Sequence, residues 1–173
     1  MKRKTLTFLV LALLPCLALA ADPETFGIPN ASLPEPGILA AGQPTGEQIQ
    51  LAAEDGYKTL IDLRPAEEAR GYDEPGAAKE NGLAYVNIPV TPASLDQATI
   101  DKFLETMRKA ERPVLLHCST SNRVGALYYA WLVLEKGAKP DAALAKAKAA
   151  GLKNPELTEK IQTLVSERKP AGK

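Results

Sequence analysis

Short apolar runs alternate with longer amphipathic stretches along most of this chain. The apolar runs, which predict buried strands, are residues 37–43, 58–63, 83–90 and 114–117. The stretches with helical periodicity or capping signals are residues 45–55, 77–81, 96–109, 123–136, 141–150 and 154–167. Because strands alternate with helices, we predict an α/β fold with a mostly parallel central sheet of about four to five strands and helices on both faces.

Several of the helix signals are specific. Thr45 and Gln48 have the spacing of a capping box, and Asn154 followed by Pro155 is typical of a helix start. Residues 123–136 are apolar on nearly all sides of the predicted helix. We therefore expect this helix to be buried against the sheet.

The amino terminus has the pattern of a secretory signal peptide. A basic start is followed by an apolar run over residues 5–17 and by Ala-Leu-Ala at 18–20, which predicts cleavage near Ala20 and a periplasmic or secreted protein. No later apolar run has the length of a membrane span, so we expect no membrane contact after cleavage. The predicted organisation is a signal peptide (1–20), an irregular lead-in (21–36) and a single domain (37–169).

Charge and cysteine content narrow the function classes. The signal peptide removes three of the 21 basic residues and none of the 21 acidic ones, which leaves a net charge of about −3 and argues against nucleic-acid binding. Of the two cysteines, Cys16 leaves with the signal peptide and Cys118 has no intramolecular partner. An unpaired thiol in an oxidising compartment is either buried or used chemically.

Cys118 opens a polar loop between a predicted strand and a predicted helix, and Arg123 closes it. In a strand–loop–helix crossing, backbone N–H groups and a helix N-terminus point toward one place, which favours anion binding. The same dipoles favour the thiolate form of a cysteine at the floor of the loop. The sequence therefore suggests a nucleophilic cysteine and an anionic substrate.

The His117-Cys118-(four residues)-Arg123 pattern after a buried strand resembles the signature of the cysteine-dependent, dual-specificity-like protein phosphatases. The segments Gly-Gln-Pro-Thr at 42–45 and Ile-Asp-Leu-Arg-Pro at 61–65 resemble the bacterial beta-lactamase hydrolase-like branch of that superfamily. The resemblance covers about residues 35–137 and implies a protein-tyrosine-phosphatase-like fold.

The resemblance also implies a mechanism for a phosphorylated protein or small molecule, with no metal or other cofactor. Cys118 attacks phosphorus and forms a phospho-cysteine, while His117 orients the loop and favours the thiolate. Arg123 binds the phosphate bidentately. The loop amides that hold the phosphate oxygens belong to Ser119, Thr120, Ser121, Asn122 and Arg123. A loop Asp protonates the leaving oxygen and then activates water.

Three features depart from the phosphatase pattern. The spacing is C-x4-R instead of C-x5-R, and the shorter loop is also found in rhodanese-like sulfurtransferases. No glycine lies in the loop, so Ser121 or Asn122 must adopt any turn that glycine would favour, and Asn tolerates a positive φ best. Val124 follows the arginine, where phosphatases commonly have Ser or Thr.

The general acid is not evident from the sequence. Asp96 is the first candidate, with helix N-cap as its alternative role. Asp62 is more easily interpreted as a partner of Arg64. Asp73 and Glu74 lie on a loop that could reach the site. For Arg64 itself we also expect an ion pair, with Glu67 or Glu68.

Three hypotheses for function follow. The first is an exported phosphatase that hydrolyses a phosphomonoester through Cys118. The second is a sulfurtransferase or persulfide carrier that uses the same cysteine, and the third is a catalytically silent module that binds an anion or a protein. The sequence does not predict the oligomeric state.

Overall fold

The computed structural model describes residues 25–168 of the 173-residue chain. The predicted signal peptide (1–20) and the first residues of the predicted lead-in lie outside the described residues. None of the helices formed by residues 25–168 combines the length and apolar character needed to cross a lipid bilayer.

The strands and helices alternate as the hydrophobic pattern predicts. The strands are β1 (Ser32–Glu35), β2 (Ile38–Ala41), β3 (Thr59–Asp62), β4 (Ala84–Asn87) and β5 (Val114–His117). The helices are α1 (Gly46–Glu54), α2 (Glu74–Glu80), α3 (Gln97–Lys109), α4 (Asn122–Leu134), α5 (Pro140–Ala149) and α6 (Pro155–Ser166).

The five strands form one sheet in the order β1-β2-β5-β3-β4. Only the edge pair β1–β2 is antiparallel, and the other pairs are parallel. This confirms the predicted α/β class. His117 at the end of β5 is in register with Ala41 of β2 and with Asp62 of β3, so three strands end at the same edge of the sheet. In sheets of this kind the ligand site lies beyond the carboxyl ends of the strands.

Both faces of the sheet are covered, and successive residues of β5 contribute to different faces. Val114 and Leu116 pack in the larger core, which α3, α4, α5 and α6 cover, whereas Leu115 packs in the smaller core under α1 and α2. Cys118 belongs to the larger core. The helix α4 is buried along most of its length, as its sequence predicts.

Two elements differ from the sequence-based prediction. The predicted lead-in contains β1, although Pro34 lies inside it, because an edge strand needs hydrogen bonds on one side only. The helix α2 begins at Glu74 and not at residue 77, because the Asp73 carboxylate accepts a hydrogen bond from the Gly76 N–H and Pro75 occupies the first turn. Asp73 and Glu74, which we expected on a loop, therefore form the start of this helix.

Candidate active site

The predicted anion loop follows β5 directly and enters α4. Cys118 is completely buried and is the free cysteine of the described residues. Its backbone N–H donates to Ala41 O at 3.3 Å, while Ser119 and Thr120 are exposed at the rim of the loop. The thiol thus lies at the floor of the loop, at the shared end of β2, β3 and β5.

The Gly-Gln-Pro-Thr segment contacts this loop through its backbone. Gln43 N donates to Ser119 O at 3.3 Å, and Gly42 forms an isolated bridge with Thr120. A Cβ atom at position 42 would lie 2.7 Å from Pro29 O and 3.0 Å from Ser119 O. Glycine at this position therefore permits the close backbone approach that supports the loop.

Ser121 takes the turn that a glycine would favour. Its φ is +66°, and its buried hydroxyl donates to Ala150 O at 2.8 Å. Asn122 begins α4, and its Oδ1 accepts hydrogen bonds from Lys153 N at 2.7 Å and Asn154 N at 2.9 Å. The loop is therefore held from outside by the segment that joins α5 to α6, which compensates for the strain of the left-handed serine.

Arg123 makes four hydrogen bonds through its terminal nitrogens. Nη1 and Nη2 donate to the two carboxylate oxygens of Glu68 at 2.6 and 2.8 Å. Nη1 also donates to Val90 O, and Nη2 to Ser119 Oγ, both at 3.0 Å. Burial alone would lower the pKa of Arg123, but the hydrogen bond with Glu68 and the neighbouring Cys118 side chain, which also hydrogen-bonds to the guanidinium, raise it. The guanidinium thus stays cationic and lies beside the sulfur.

Glu68 is the functional candidate that the sequence did not reveal. We expected Arg64 to pair with Glu67 or Glu68, and this expectation is wrong. Arg64 binds Asp62 and Glu74, while Glu68 reaches Arg123, which lies 55 residues further along the chain. No local pattern distinguishes Glu68 from the neighbouring acidic residue Glu67, so the sequence gives no signal for the contact between Glu68 and Arg123.

A buried ionic cluster lies under the site, on the face that α1 and α2 cover. Asp62 Oδ1 accepts from Arg64 N at 2.8 Å and from Arg64 Nε at 3.1 Å, as the predicted Asp62–Arg64 pair requires. Asp62 Oδ2 accepts from Arg70 Nη2 at 2.7 Å. Glu74 pairs with Arg64 Nη2 and lies 3.3 Å from Arg70 Nε. The two carboxylates and the two guanidinium groups therefore balance in charge.

Burial alone would raise the pKa of Asp62, but the charge of His117 and the hydrogen bonds from Arg64 and Arg70 hold that pKa below its ordinary value. The Tyr85 hydroxyl donates to Asp62 Oδ2 at 3.1 Å. Burial and the negative charge of Asp62 raise the pKa of Tyr85. Tyr85 thus stays a neutral donor, and Asp62 stays an ionised acceptor.

His117 belongs to this cluster and not to the thiol side of the sheet. Its Nε2 lies 3.0 Å from Glu74 Oε1 and 3.8 Å from Asp62 Oδ1, without hydrogen-bond geometry to either. Because side chains alternate along a strand, His117 and Cys118 point to opposite faces. His117 can therefore act on the loop through its backbone position at the end of β5, while its side chain lies beside Asp62 and Glu74 on the opposite face of the sheet; the orienting role that the resemblance implies stays a prediction.

Asp62, Glu74 and His117 place one potential metal-ligand atom each within 4.8 Å of one another. Arg64 and Arg70 already pair with both carboxylates, so a divalent cation would have to displace a guanidinium from a buried, charge-balanced cluster. The arrangement fits an ion-pair network better than a metal centre.

The structure places the four proposed general acids either at helix N-termini or in the buried ionic cluster. Asp96 caps α3, where its carboxylate accepts from Thr99 N at 2.8 Å, and Asp73 caps α2. Asp62 and Glu74 are fully buried in the ionic cluster. The role of Asp96 as general acid stays a prediction, since the structure shows its alternative role as N-cap. Among the hydrogen bonds of residues 25–168, the carboxylate that reaches Arg123 is that of Glu68.

Comparisons with known proteins agree with this geometry. Residues 31–164 match the family model described as DSP-PTPase phosphatase fused to NAD+ kinase. The beta-lactamase hydrolase-like protein of Xylella fastidiosa is 36% identical over 118 residues, which cover 66% of this chain and 27% of that protein. The counterpart in Agrobacterium fabrum is 35% identical over 95 residues, or 53% of this chain and 22% of that protein. The chain therefore spans about a quarter of the length of these curated relatives.

Solved structures share the fold. A DUF442 protein of Shewanella putrefaciens CN-32 superposes with a TM-score of 0.69 at 23% identity, covering 84% of this chain and 98% of that one. TpbA of P. aeruginosa superposes with a TM-score of 0.66 at 20% identity, covering 90% and 92% of the two chains. Since the family model covers most of the chain and includes the whole Cys118–Arg123 loop, the chain belongs to this family of dual-specificity-type protein tyrosine phosphatases.

Proposed function

We propose that this protein is an exported, cysteine-dependent phosphatase that hydrolyses a phosphomonoester. The observation that carries the proposal is the pairing of a buried thiol with the guanidinium of Arg123 across a strand–loop–helix crossing. The fixed cation and the loop amides stabilise negative charge on both the thiolate and the phosphate. Export rests on the signal-peptide pattern of residues 1–20.

The reaction has two steps. The Cys118 thiolate attacks phosphorus, a sulfur–phosphorus bond forms, and the bond from phosphorus to the leaving oxygen breaks as that oxygen takes up a proton. Water then attacks phosphorus, the sulfur–phosphorus bond breaks, and inorganic phosphate and the thiolate are released. Amides of residues 119–123 and the Arg123 guanidinium hold the phosphate oxygens in both steps.

Asp96 remains the first candidate for the proton donor. A leaving group that is already a good anion needs little protonation, whereas a tyrosine oxygen needs it strongly. We therefore expect Asp96→Asn to lower kcat for phosphotyrosine much more than kcat for p-nitrophenyl phosphate. An equal effect on both substrates would assign Asp96 to the helix cap alone.

The substrate class is a phosphorylated protein or small molecule. Solved structures with this fold include TpbA in complex with phosphotyrosine and PTPMT1 in complex with PI(5)P. Both ligands carry a phosphomonoester group, and they support the same chemistry for this chain.

The C-x4-R spacing favours a second candidate, a sulfurtransferase that carries sulfur as a Cys118 persulfide. Phosphatase activity is the better supported of the two, because the family match covers residues 31–164, including the short loop itself.

One set of assays distinguishes the candidates. The mature protein and its Cys118→Ser variant are given p-nitrophenyl phosphate, and in parallel thiosulfate with cyanide. Cys118-dependent phosphate release that vanadate inhibits supports the phosphatase. Thiocyanate formation with a mass gain of one sulfur on Cys118 supports the sulfurtransferase instead. Phosphate binding without either activity indicates a silent binding module, and full phosphatase activity in Cys118→Ser would contradict the mechanism.

A further inference from the structure

Most N–H donors of the Arg123 guanidinium already have partners within the protein. A guanidinium has five N–H donors. Glu68 takes two of them in a fork-to-fork pair, at 2.6 and 2.8 Å. Val90 O and Ser119 Oγ take one more each, at 3.0 Å. These four contacts account for the Nη1 and Nη2 protons, and the guanidinium also hydrogen-bonds to the Cys118 side chain, so Arg123 is held between Glu68 and the thiol.

The loop that carries Glu68 is organised around a second guanidinium. Arg70 Nη1 donates to Glu68 O at 3.4 Å and to Pro65 O at 3.5 Å, which closes the loop on itself. Arg70 Nη2 and Nε donate to Asp62 Oδ2 at 2.7 and 3.1 Å, which ties the loop to the end of β3. Gln43 Nε2 binds Arg70 O at 2.6 Å. The backbone position of Glu68 is therefore determined by Arg70.

We propose that Glu68 is a positioning residue for Arg123, held in place by Arg70, and that this pair sets the affinity of the site for phosphate. The inference rests on the proposed function and names residues that neither the sequence nor the family match assigns. Two charge-assisted hydrogen bonds need the ionised carboxylate, so Glu68 in this arrangement is an acceptor and not the proton donor.

Two effects of Glu68 on phosphate binding oppose each other. Its negative charge repels an incoming phosphate, while its two hydrogen bonds hold the long arginine side chain in one rotamer. The pair is mostly shielded on the arginine side, where the exposed side-chain fraction is 12%, and partly open on the glutamate side, at 38%. Because solvent screens the glutamate charge more than it loosens a bidentate contact, we expect the ordering of Arg123 to dominate.

The test measures phosphate binding without turnover. Isothermal titration gives the Kd of inorganic phosphate for the wild-type protein and for Glu68→Ala, Glu68→Gln and Glu68→Asp, with Glu67→Gln as the matched control. Glu67 is the exposed neighbour on the same loop, so this control removes one charge and leaves the contact. KM and kcat for p-nitrophenyl phosphate are measured on the same samples.

We expect Glu68→Ala to weaken phosphate binding about tenfold and to raise KM with a smaller change in kcat. Glu68→Asp keeps the charge but shortens the side chain by one methylene, and it should also weaken binding. Glu67→Gln should bind phosphate like the wild type. Arg70→Lys should weaken binding in the wild-type background and have little further effect in Glu68→Ala, because both residues act through the same contact.

Unchanged or tighter phosphate binding in Glu68→Ala would overturn the proposal and identify Glu68 as an internal anion that covers Arg123. Wild-type affinity in Glu68→Asp would also contradict it, since a purely electrostatic role needs the charge alone. A wild-type protein that does not bind phosphate would overturn it as well. If phosphate binds and the Glu68 variants behave as expected, but Cys118-dependent hydrolysis is absent, the proposed phosphatase function fails while the positioning role stands.

Discussion

Glu74 is one of the two buried carboxylates that neutralise the guanidinium groups of the ionic cluster, and the stability of the domain should depend on it. It is fully buried, pairs with Arg64, and lies 3.3 Å from Arg70 Nε and 3.0 Å from His117 Nε2. Glu74→Ala would leave Arg64 buried with only Asp62 as a counter-charge. Removal of one partner from a buried ion pair costs about 3–5 kcal/mol, out of a total free energy of unfolding of about 5–15 kcal/mol.

The assay is urea unfolding followed through Trp131, the single tryptophan, which is 5% exposed in the folded state. For Glu74→Ala the urea midpoint should fall at an unchanged slope, which corresponds to a loss of about 4 kcal/mol in the free energy of unfolding. The melting temperature should fall by about 10 °C. The control is Glu105→Ala, which removes an exposed ion pair with Lys109 on α3. We expect no measurable shift for the control.

A loss of less than about 1 kcal/mol for Glu74→Ala would refute this reasoning. That result would mean that Arg64 finds water or another partner when the carboxylate is absent. The cluster would then contribute to the shape of the site and not to the stability of the fold.

Three further substitutions test other contacts. Gly125→Ala should lower the free energy of unfolding by about 1–3 kcal/mol in urea titrations, because a Cβ atom there would lie 2.5 Å from Leu152 N. Ser121→Ala should cost about 1–2 kcal/mol and raise KM, because the buried Ala150 carbonyl loses its donor. Hydrogen bonds from the first turn of α3 hold the pKa of Asp96 below its ordinary value. The ionised cap therefore stabilises the fold at any pH above that ordinary value, and this stabilisation is lost as the pH falls through the lowered pKa. Asp96→Ala should therefore lower the melting temperature at pH 7, and by progressively less as the pH falls below the ordinary pKa of aspartate.

Much of the fold and the centre of the site could be predicted from the sequence, since both are encoded locally. The alternation of strands and helices determines the α/β class, and the residues from Cys118 to Arg123 lie within one turn of chain. Because the loop lacks glycine, the sequence restricted the residue with a positive φ to Ser121 or Asn122, and Ser121 adopts that conformation. Asn122 instead uses its side chain to bind the segment before α6.

The ion pairs could not be predicted in the same way. Glu68 and Arg123 are separated by 55 residues, and the choice between Glu67, Glu68 and Glu74 as the partner of Arg64 depends on where α2 begins. Charged residues in a loop usually indicate solvent exposure, and the sequence offers no sign that Glu74 is buried. Packing of a helix against the sheet decides such contacts.

The two hydrogen bonds from residues 153 and 154 to Asn122, together with the bond from Ser121 to Ala150, have a consequence for truncated forms of the protein. A fragment that stops after α4 would contain each residue that the reaction is proposed to use, from Cys118 to Arg123. It would lack the external backbone that fixes the turn at Ser121. The smallest unit that can keep a preformed site therefore extends at least to Asn154, because the segment that joins α5 to α6 supports the proposed site without contributing a side chain to the chemistry.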